Sequence, residues 1–199
     1  NQAVTFNKIE LTKWLVNKAG ANVNFESSIG RRALNIASSF GYTEMMRVLI
    51  DLGADINSET KDRTTPLIAA AKEGRESSVL VLLQAGANID KQNADGITAL
   101  MTAAKYKQLH VLRLLLQHDA NPDLLDIDGR DALVISKIAH AHDSAEMLAD
   151  YLGISLIPKG SNSRPNSRSN NKGNNNQNSS RRRSSIKRRR KKLADSDSN

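Results

Sequence analysis

The chain has 199 residues, no cysteine and a formal net charge of +8 at pH 7. Without cysteine it cannot form a disulfide framework, a thiolate metal cluster or a cysteine nucleophile. Residues 1–158 carry 16 Lys and Arg against 19 Asp and Glu, whereas residues 159–199 carry 13 against 2, so the basic charge belongs to the C-terminal segment.

The first predicted element is a helix that begins near Ile9. Its apolar residues Leu11, Leu15 and Val16 lead into a turn at Gly20. This pattern is typical of the second helix of a two-helix unit whose first half is missing. The chain also begins with Asn1 rather than Met. We therefore expect residues 1–25 to be the end of a truncated repeat in a piece of a longer protein.

A spacing of 33 residues then runs along the chain. It carries a turn position that is occupied by Gly20, Gly53, Gly86 and Asp119. It also carries an apolar position that is occupied by Leu34, Leu67, Leu100 and Leu133. Self-similarity at this period is typical of stacked two-helix units, because each unit buries its apolar face against its neighbours.

The clearest copy of the unit covers residues 63–74, which include Thr65-Pro66-Leu67, and residues 79–90. It resembles an ankyrin repeat along its whole length. The resemblance implies an all-α ankyrin-repeat solenoid of helix-turn-helix units with hairpin loops. Four repeats are expected within residues 26–158, at about 27–59, 60–92, 93–125 and 126–153, before a tail at 159–199.

Helix starts and ends can be predicted from the residues at the unit boundaries. Thr65, Thr98 and Asp131 each have a side-chain oxygen that can accept an N–H of the first helical turn, whereas Arg32 has none. Glycines at 41, 53, 74 and 86 supply left-handed residues at helix ends. Lys107, Asp119 and His140 stand at equivalent positions and must adopt the same conformation.

The ankyrin resemblance also implies which residues face a partner, namely those at hairpin tips and on the concave side of the first helices. The matching positions are Ile29, Arg31, Phe40, Lys61, Asp62, Lys72, Glu73, Asp95, Ile97, Lys105, Tyr106, Ile127 and Arg130. Aromatic side chains often dominate interface energy, so Phe40 and Tyr106 are the predicted anchors. Ile29, Ile97 and Ile127 are expected to stand free of the core, and the concave face is expected to be slightly acidic.

The tail loses hydrophobic periodicity and becomes rich in Asn, Ser, Arg and Lys, so we expect residues 159–199 to be disordered. Its basic cluster consists of Arg181, Arg182, Arg183, Lys187, Arg188, Arg189, Arg190, Lys191 and Lys192. The cluster resembles a nuclear-import signal that a carrier protein reads. The alternatives are a merely solvated polybasic run, nonspecific contact with nucleic-acid backbones, and attraction to an anionic membrane surface. Ser184 and Ser185, which follow the arginines, are candidate phosphorylation sites.

No catalytic constellation and no cofactor motif occur in the sequence. The four histidines have no partner at a spacing typical of a metal site. Leu49, Asp55 and Ile56 precede Asn57 in a pattern that, in ankyrin proteins, resembles sites of asparaginyl hydroxylation. No apolar run approaches the roughly 18 residues that a membrane-spanning helix needs. The expected location is intracellular, in the cytoplasm and/or the nucleus.

The favoured hypothesis is a protein-protein interaction scaffold that binds another protein at its concave face and carries an import or tethering signal in its tail. A second hypothesis treats the repeats as the substrate-recruiting arm of a larger enzyme, such as a kinase or ubiquitin ligase. A third treats the tail as a nonspecific nucleic-acid binder that the repeats merely dock.

Overall fold

The computed structural model describes residues 1–28 and 30–154, and this part contains helices and no strand. The helices are α1 (Gln2–Thr5), α2 (Ile9–Asn17), α3 (Ala33–Phe40), α4 (Thr43–Asp51), α5 (Pro66–Lys72), α6 (Glu76–Gln84), α7 (Ala99–Lys105), α8 (Leu109–Gln117), α9 (Ala132–Ile138) and α10 (His142–Leu152). The all-α prediction is confirmed. A four-residue helix, α1, stands where the sequence analysis expected a missing first helix.

The helices form pairs, and the pairs stack. Each first helix packs on the next, from α3 through α5 and α7 to α9, and the second helices α4, α6, α8 and α10 do the same. Small residues make the close approach of the first helices possible, because Ala37, Ala70 and Ala103 are completely buried between them. Beside them lie Leu34, Leu67 and Leu100, each with no more than 2% of its surface exposed. One continuous apolar core therefore runs through the stack.

The helix starts follow the expected chemistry. The Thr98 hydroxyl accepts a hydrogen bond from the N–H of Met101 at 3.2 Å, and a carboxylate oxygen of Asp131 accepts one from Val134 at 2.7 Å. Thr65 caps α5 in the same way. Arg32 makes no side-chain cap, so the first turn of α3 lacks this stabilisation.

Left-handed residues end the helices at the predicted places. The glycines at 41, 53, 74 and 86 all have positive φ. Lys107, Asp119 and His140 share that conformation, with φ of 60°, 63° and 52°. Arg63 also has a positive φ, of 59°, at a hairpin position where the neighbouring repeats have glycine.

The loops are tied together by two periodic sets of hydrogen bonds. At each hairpin a side-chain oxygen accepts the backbone N–H four residues later, as Asn93 does from Ile97 at 2.8 Å. Adjacent hairpins are then joined, because the N–H of Ile127 donates to the carbonyl of Asp95 at 3.0 Å. On the other side of the stack, Asn57 accepts from the N–H of Asn88 at 2.8 Å, and Asn24 and Asp90 repeat this bond.

Candidate functional site

A groove of about 730 Å³ runs along the carboxyl ends of α3, α5 and α7 and the hairpin tips beside them. The stacking of first helices sets its floor, and the inter-hairpin hydrogen bonds set its rim. Ten of the predicted partner-facing residues line it: Arg31, Phe40, Lys61, Asp62, Lys72, Glu73, Asp95, Ile97, Lys105 and Tyr106. Repeat stacking thus brings residues that are far apart in sequence onto one surface.

The two predicted aromatic anchors are exposed within this groove. Phe40 is 45% exposed and Tyr106 is 44% exposed. The ring of Phe40 stacks on that of Tyr42, with centroids 5.4 Å apart and an interplanar angle of 12°. The ammonium groups of Lys72 and Lys105 lie 5.5 and 5.8 Å from the centroid of the Tyr106 ring. Both aromatic side chains therefore offer apolar surface that the core does not use.

The groove is basic, so the expectation of a slightly acidic concave face is wrong. Its charged lining residues are Arg31, Lys61, Lys72, Arg75 and Lys105 against Asp62, Glu73 and Asp95. Hydrogen bonds from the hydroxyl of Thr60 and then from Thr64 hold the pKa of the Asp62 carboxyl below its ordinary value, despite partial burial that raises it. The negative sum over residues 1–158 arises elsewhere in the stack.

The family model for ankyrin repeats (3 copies) matches residues 1–93 and 82–159. The chain belongs to the ankyrin repeat family. No curated protein gives a significant match to it. Ankyrin repeats are generally protein-protein interaction modules and are typically not enzymes.

Two of the predicted contact residues do not line the groove, and a third lies outside the described residues. Ile127 is 71% exposed but does not line the groove. Arg130 is also absent from the lining, as are the other residues of its hairpin, and its guanidinium pairs with Asp126 at 2.8 Å and with Asp128. Ile29 lies outside the described residues. The expectation that Ile97 stands free of the core is wrong as well, since it is half-buried and packs against the ankyrin core.

The Asp126–Arg130 pair has a structural role in its hairpin. Burial raises the pKa of the Asp126 carboxyl, but hydrogen bonds from the backbone and side chain of Arg130 and from the N–H of Asp128 outweigh it and hold the pKa below its ordinary value. In turn, the hydrogen bond to Asp126 raises the pKa of Arg130. The carboxylate of Asp126 therefore stabilises the turn of this hairpin.

Two residues with functional potential were missed at the sequence level. Arg75 lines the groove, and its Nε donates to the carbonyl of Ser39 at 3.1 Å. Phe6, 72% exposed, precedes a left-handed residue at the end of α1 just as Phe40 does at the end of α3. The spacing between them is 34 rather than 33 residues, which is why a strict repeat register does not align them.

Asn57 is half-buried, and its side-chain oxygen is occupied by the N–H of Asn88. It therefore bridges two ankyrin repeats, and its hydroxylation remains a prediction. The described residues contain no group of three or more His, Asp or Glu that could hold a metal ion. None of the described helices has the length and apolar character to cross a bilayer. The basic cluster at 181–192 and its two serines, Ser184 and Ser185, lie outside the described residues.

Proposed function

We propose that this chain is a protein-interaction module whose groove binds another protein, with Phe40 and Tyr106 as the principal contacts. The observation that carries the proposal is that two aromatic side chains, each nearly half exposed, line one groove on a packed scaffold. Aromatic residues contribute disproportionately to interface energy when a partner covers them.

Preorganisation of the groove supports this function. Phe40 ends α3 and Tyr106 directly follows α7, and these helices pack through completely buried alanines, so the backbone positions that carry the two rings are fixed. Little conformational entropy is then lost on binding beyond the two side chains themselves. Rigid placement also favours one partner surface over others, because a mismatched surface cannot be accommodated by movement of the helices.

The test is a comparison of two double variants of the full chain. Phe40→Ala with Tyr106→Ala removes the groove aromatics, and Trp14→Ala with Phe25→Ala removes two exposed aromatics that do not line the groove. Proximity labelling with the full chain identifies a candidate partner, and binding of that partner, once purified, is measured for each variant. Only the groove variant should lose binding. The thermal midpoint should remain nearly unchanged. Equal binding by both variants would refute the proposal, and a large loss of stability would assign the rings to the core.

For the tail, we propose an import or tethering role that rests on the sequence of residues 181–192. Nine cations within that segment can occupy acidic pockets on a carrier. A fluorescent reporter fused to residues 159–199 should accumulate in the nucleus, and alanine at the nine cations should abolish this. If the tail instead retains RNA on a filter only at low salt and the reporter stays cytoplasmic, nonspecific nucleic-acid contact is the correct function.

A further inference from the structure

The groove cations have no carboxylate partner. Within residues 1–28 and 30–154, ion pairs form at sites such as Glu59 with Arg63 and Lys91, and Asp126 with Arg130. None of these pairs involves a cation that lines the groove. Lys61 donates to the carbonyl of Ser28 at 3.3 Å, which leaves its charge uncompensated. The ion pairs of the described residues thus lie outside the groove, and five of the ten cations that form no ion pair line it.

Two of these cations converge on one aromatic ring. Lys72 and Lys105 occupy the same position in successive repeats, and both ammonium groups lie within 5.8 Å of the centroid of the Tyr106 ring. The face of a tyrosine ring attracts a cation only weakly at an exposed site and does not neutralise it. An anionic group next to Tyr106 would interact favourably with both lysines at once.

The carboxylates of the groove indicate what kind of anion fits. Asp62 already accepts hydrogen bonds from the hydroxyls of Thr60 and Thr64, the latter at 2.8 Å. Glu73 and Asp95 also line the groove and would repel a ligand that is negative along its whole length, such as a nucleic-acid backbone. A polypeptide can instead present carboxylates to the lysines and neutral or apolar residues elsewhere.

We propose that the partner presents an acidic segment to this groove, with Asp or Glu carboxylates at Lys72 and Lys105 and an apolar side chain against Tyr106. This inference rests on the proposed function. It adds the chemistry of the partner: a protein segment that combines acidic and apolar residues.

The test measures fluorescence anisotropy of three labelled peptides of equal length that share their leucines and carry Glu, Gln or Lys at the remaining positions. The full chain is compared with the groove variant Lys72→Gln/Lys105→Gln. The control variant, Lys18→Gln/Arg113→Gln, removes the same charge from exposed residues that do not line the groove. Because all three proteins retain the basic tail, binding by the tail is common to them.

The groove variant should bind the Glu peptide about fivefold more weakly than the unsubstituted chain, as expected for the loss of two exposed charge pairs. The groove variant should bind the Gln peptide within about twofold of the unsubstituted chain. The control variant should bind both the Glu and the Gln peptide within about twofold of the unsubstituted chain. An equal loss in both variants would overturn the inference, because net charge alone would then explain the binding. Binding of a labelled single-stranded RNA that only the groove variant loses, without preference for the Glu peptide, would also overturn it.

Failure of this inference and failure of the proposed function give different results. If the purified partner is lost with Phe40→Ala/Tyr106→Ala but binds Lys72→Gln/Lys105→Gln normally, the groove binds protein without the acidic contact. If neither variant changes partner binding, both the inference and the proposed function are wrong.

Discussion

Gly96 is predicted to be the hairpin glycine at which an added methyl group is most damaging. Its φ is +74°, and a Cβ built there would lie 2.9 Å from the Cα of Asp126 and 2.9 Å from the backbone N of Ile127. These are backbone atoms of the next hairpin, which is fixed by the hydrogen bond from Ile127 to Asp95. The neighbouring chain therefore cannot move aside without breaking that contact.

Two other glycines separate the contributions to this effect. Gly129 has a φ of +73° with no atom within 4 Å of its Cβ position, so alanine there introduces only backbone strain. At Gly30, with φ +75°, the Cβ would meet only the flexible side chain of Lys61, which can rotate away. A left-handed alanine costs about 1–2 kcal/mol, and overpacking against fixed atoms adds about 1–3 kcal/mol.

The expected order of stability is Gly129→Ala equal to Gly30→Ala, with Gly96→Ala lower by about 2 kcal/mol. For a domain of this size that difference corresponds to a thermal midpoint lower by roughly 5 °C. Urea unfolding at fixed pH, followed by circular dichroism, measures the free energies directly. If the three variants unfold alike, the contact between hairpins does not constrain Gly96 and the reasoning fails. If Gly30→Ala is the least stable, closeness of approach matters more than the rigidity of the contacted atom.

Three further predictions concern single groups. Ser78 has a buried hydroxyl with no hydrogen-bond partner, so Ser78→Ala should raise the free energy of unfolding by about 0.5–1 kcal/mol in urea; a decrease would mean that the hydroxyl is satisfied. The depressed pKa of Asp126 means that its stabilising contribution is present above the unfolded-state pKa and is lost as the pH falls below about 4, so Arg130→Gln should move the acid-unfolding midpoint to higher pH. An unchanged acid midpoint would contradict this. Arg32→Thr should raise the free energy of unfolding by about 1 kcal/mol by capping α3, and Thr98→Ala should lower it by about the same amount by removing the cap of α7. Urea unfolding measures both changes, and a decrease for Arg32→Thr or no change for Thr98→Ala would contradict the capping account.

Much of the fold follows from short-range requirements that the sequence displays directly. A side-chain oxygen at Thr98 or Asp131 and a left-handed residue at Gly41 or Gly74 fix where helices start and end, because few residue types meet those requirements. Even the left-handed conformation of Lys107 was predictable from its place in the repeat. Ten of the residues that line the groove were predicted from the ankyrin resemblance, because the repeat places equivalent positions on one surface, whereas Arg75 was missed.

The charge of the groove was not predictable from composition. Eight of the acidic residues lie between positions 119 and 150, where only Arg130 and Lys137 are basic, and none of these residues lines the groove. The net charge summed over residues 1–158 is therefore determined more by the acidic residues between positions 119 and 150 than by the residues that line the groove. The sequence also did not predict which tip residues pack on the core, because Ile97 and Ile127 occupy different positions within the hairpin. One packs on the core and the other faces outward.

Comparison of equivalent positions in the four repeats shows where core packing does not restrict the choice of side chain. The buried position at Leu34 is leucine in all four repeats, where a smaller side chain would leave a cavity and a larger one would clash in a shared core. The groove position at Phe40 is occupied in turn by Phe40, Glu73, Tyr106 and Ala139. The stack tolerates this range because these side chains do not separate its helices. We therefore expect substitutions at this position to change partner binding more than they change the free energy of unfolding.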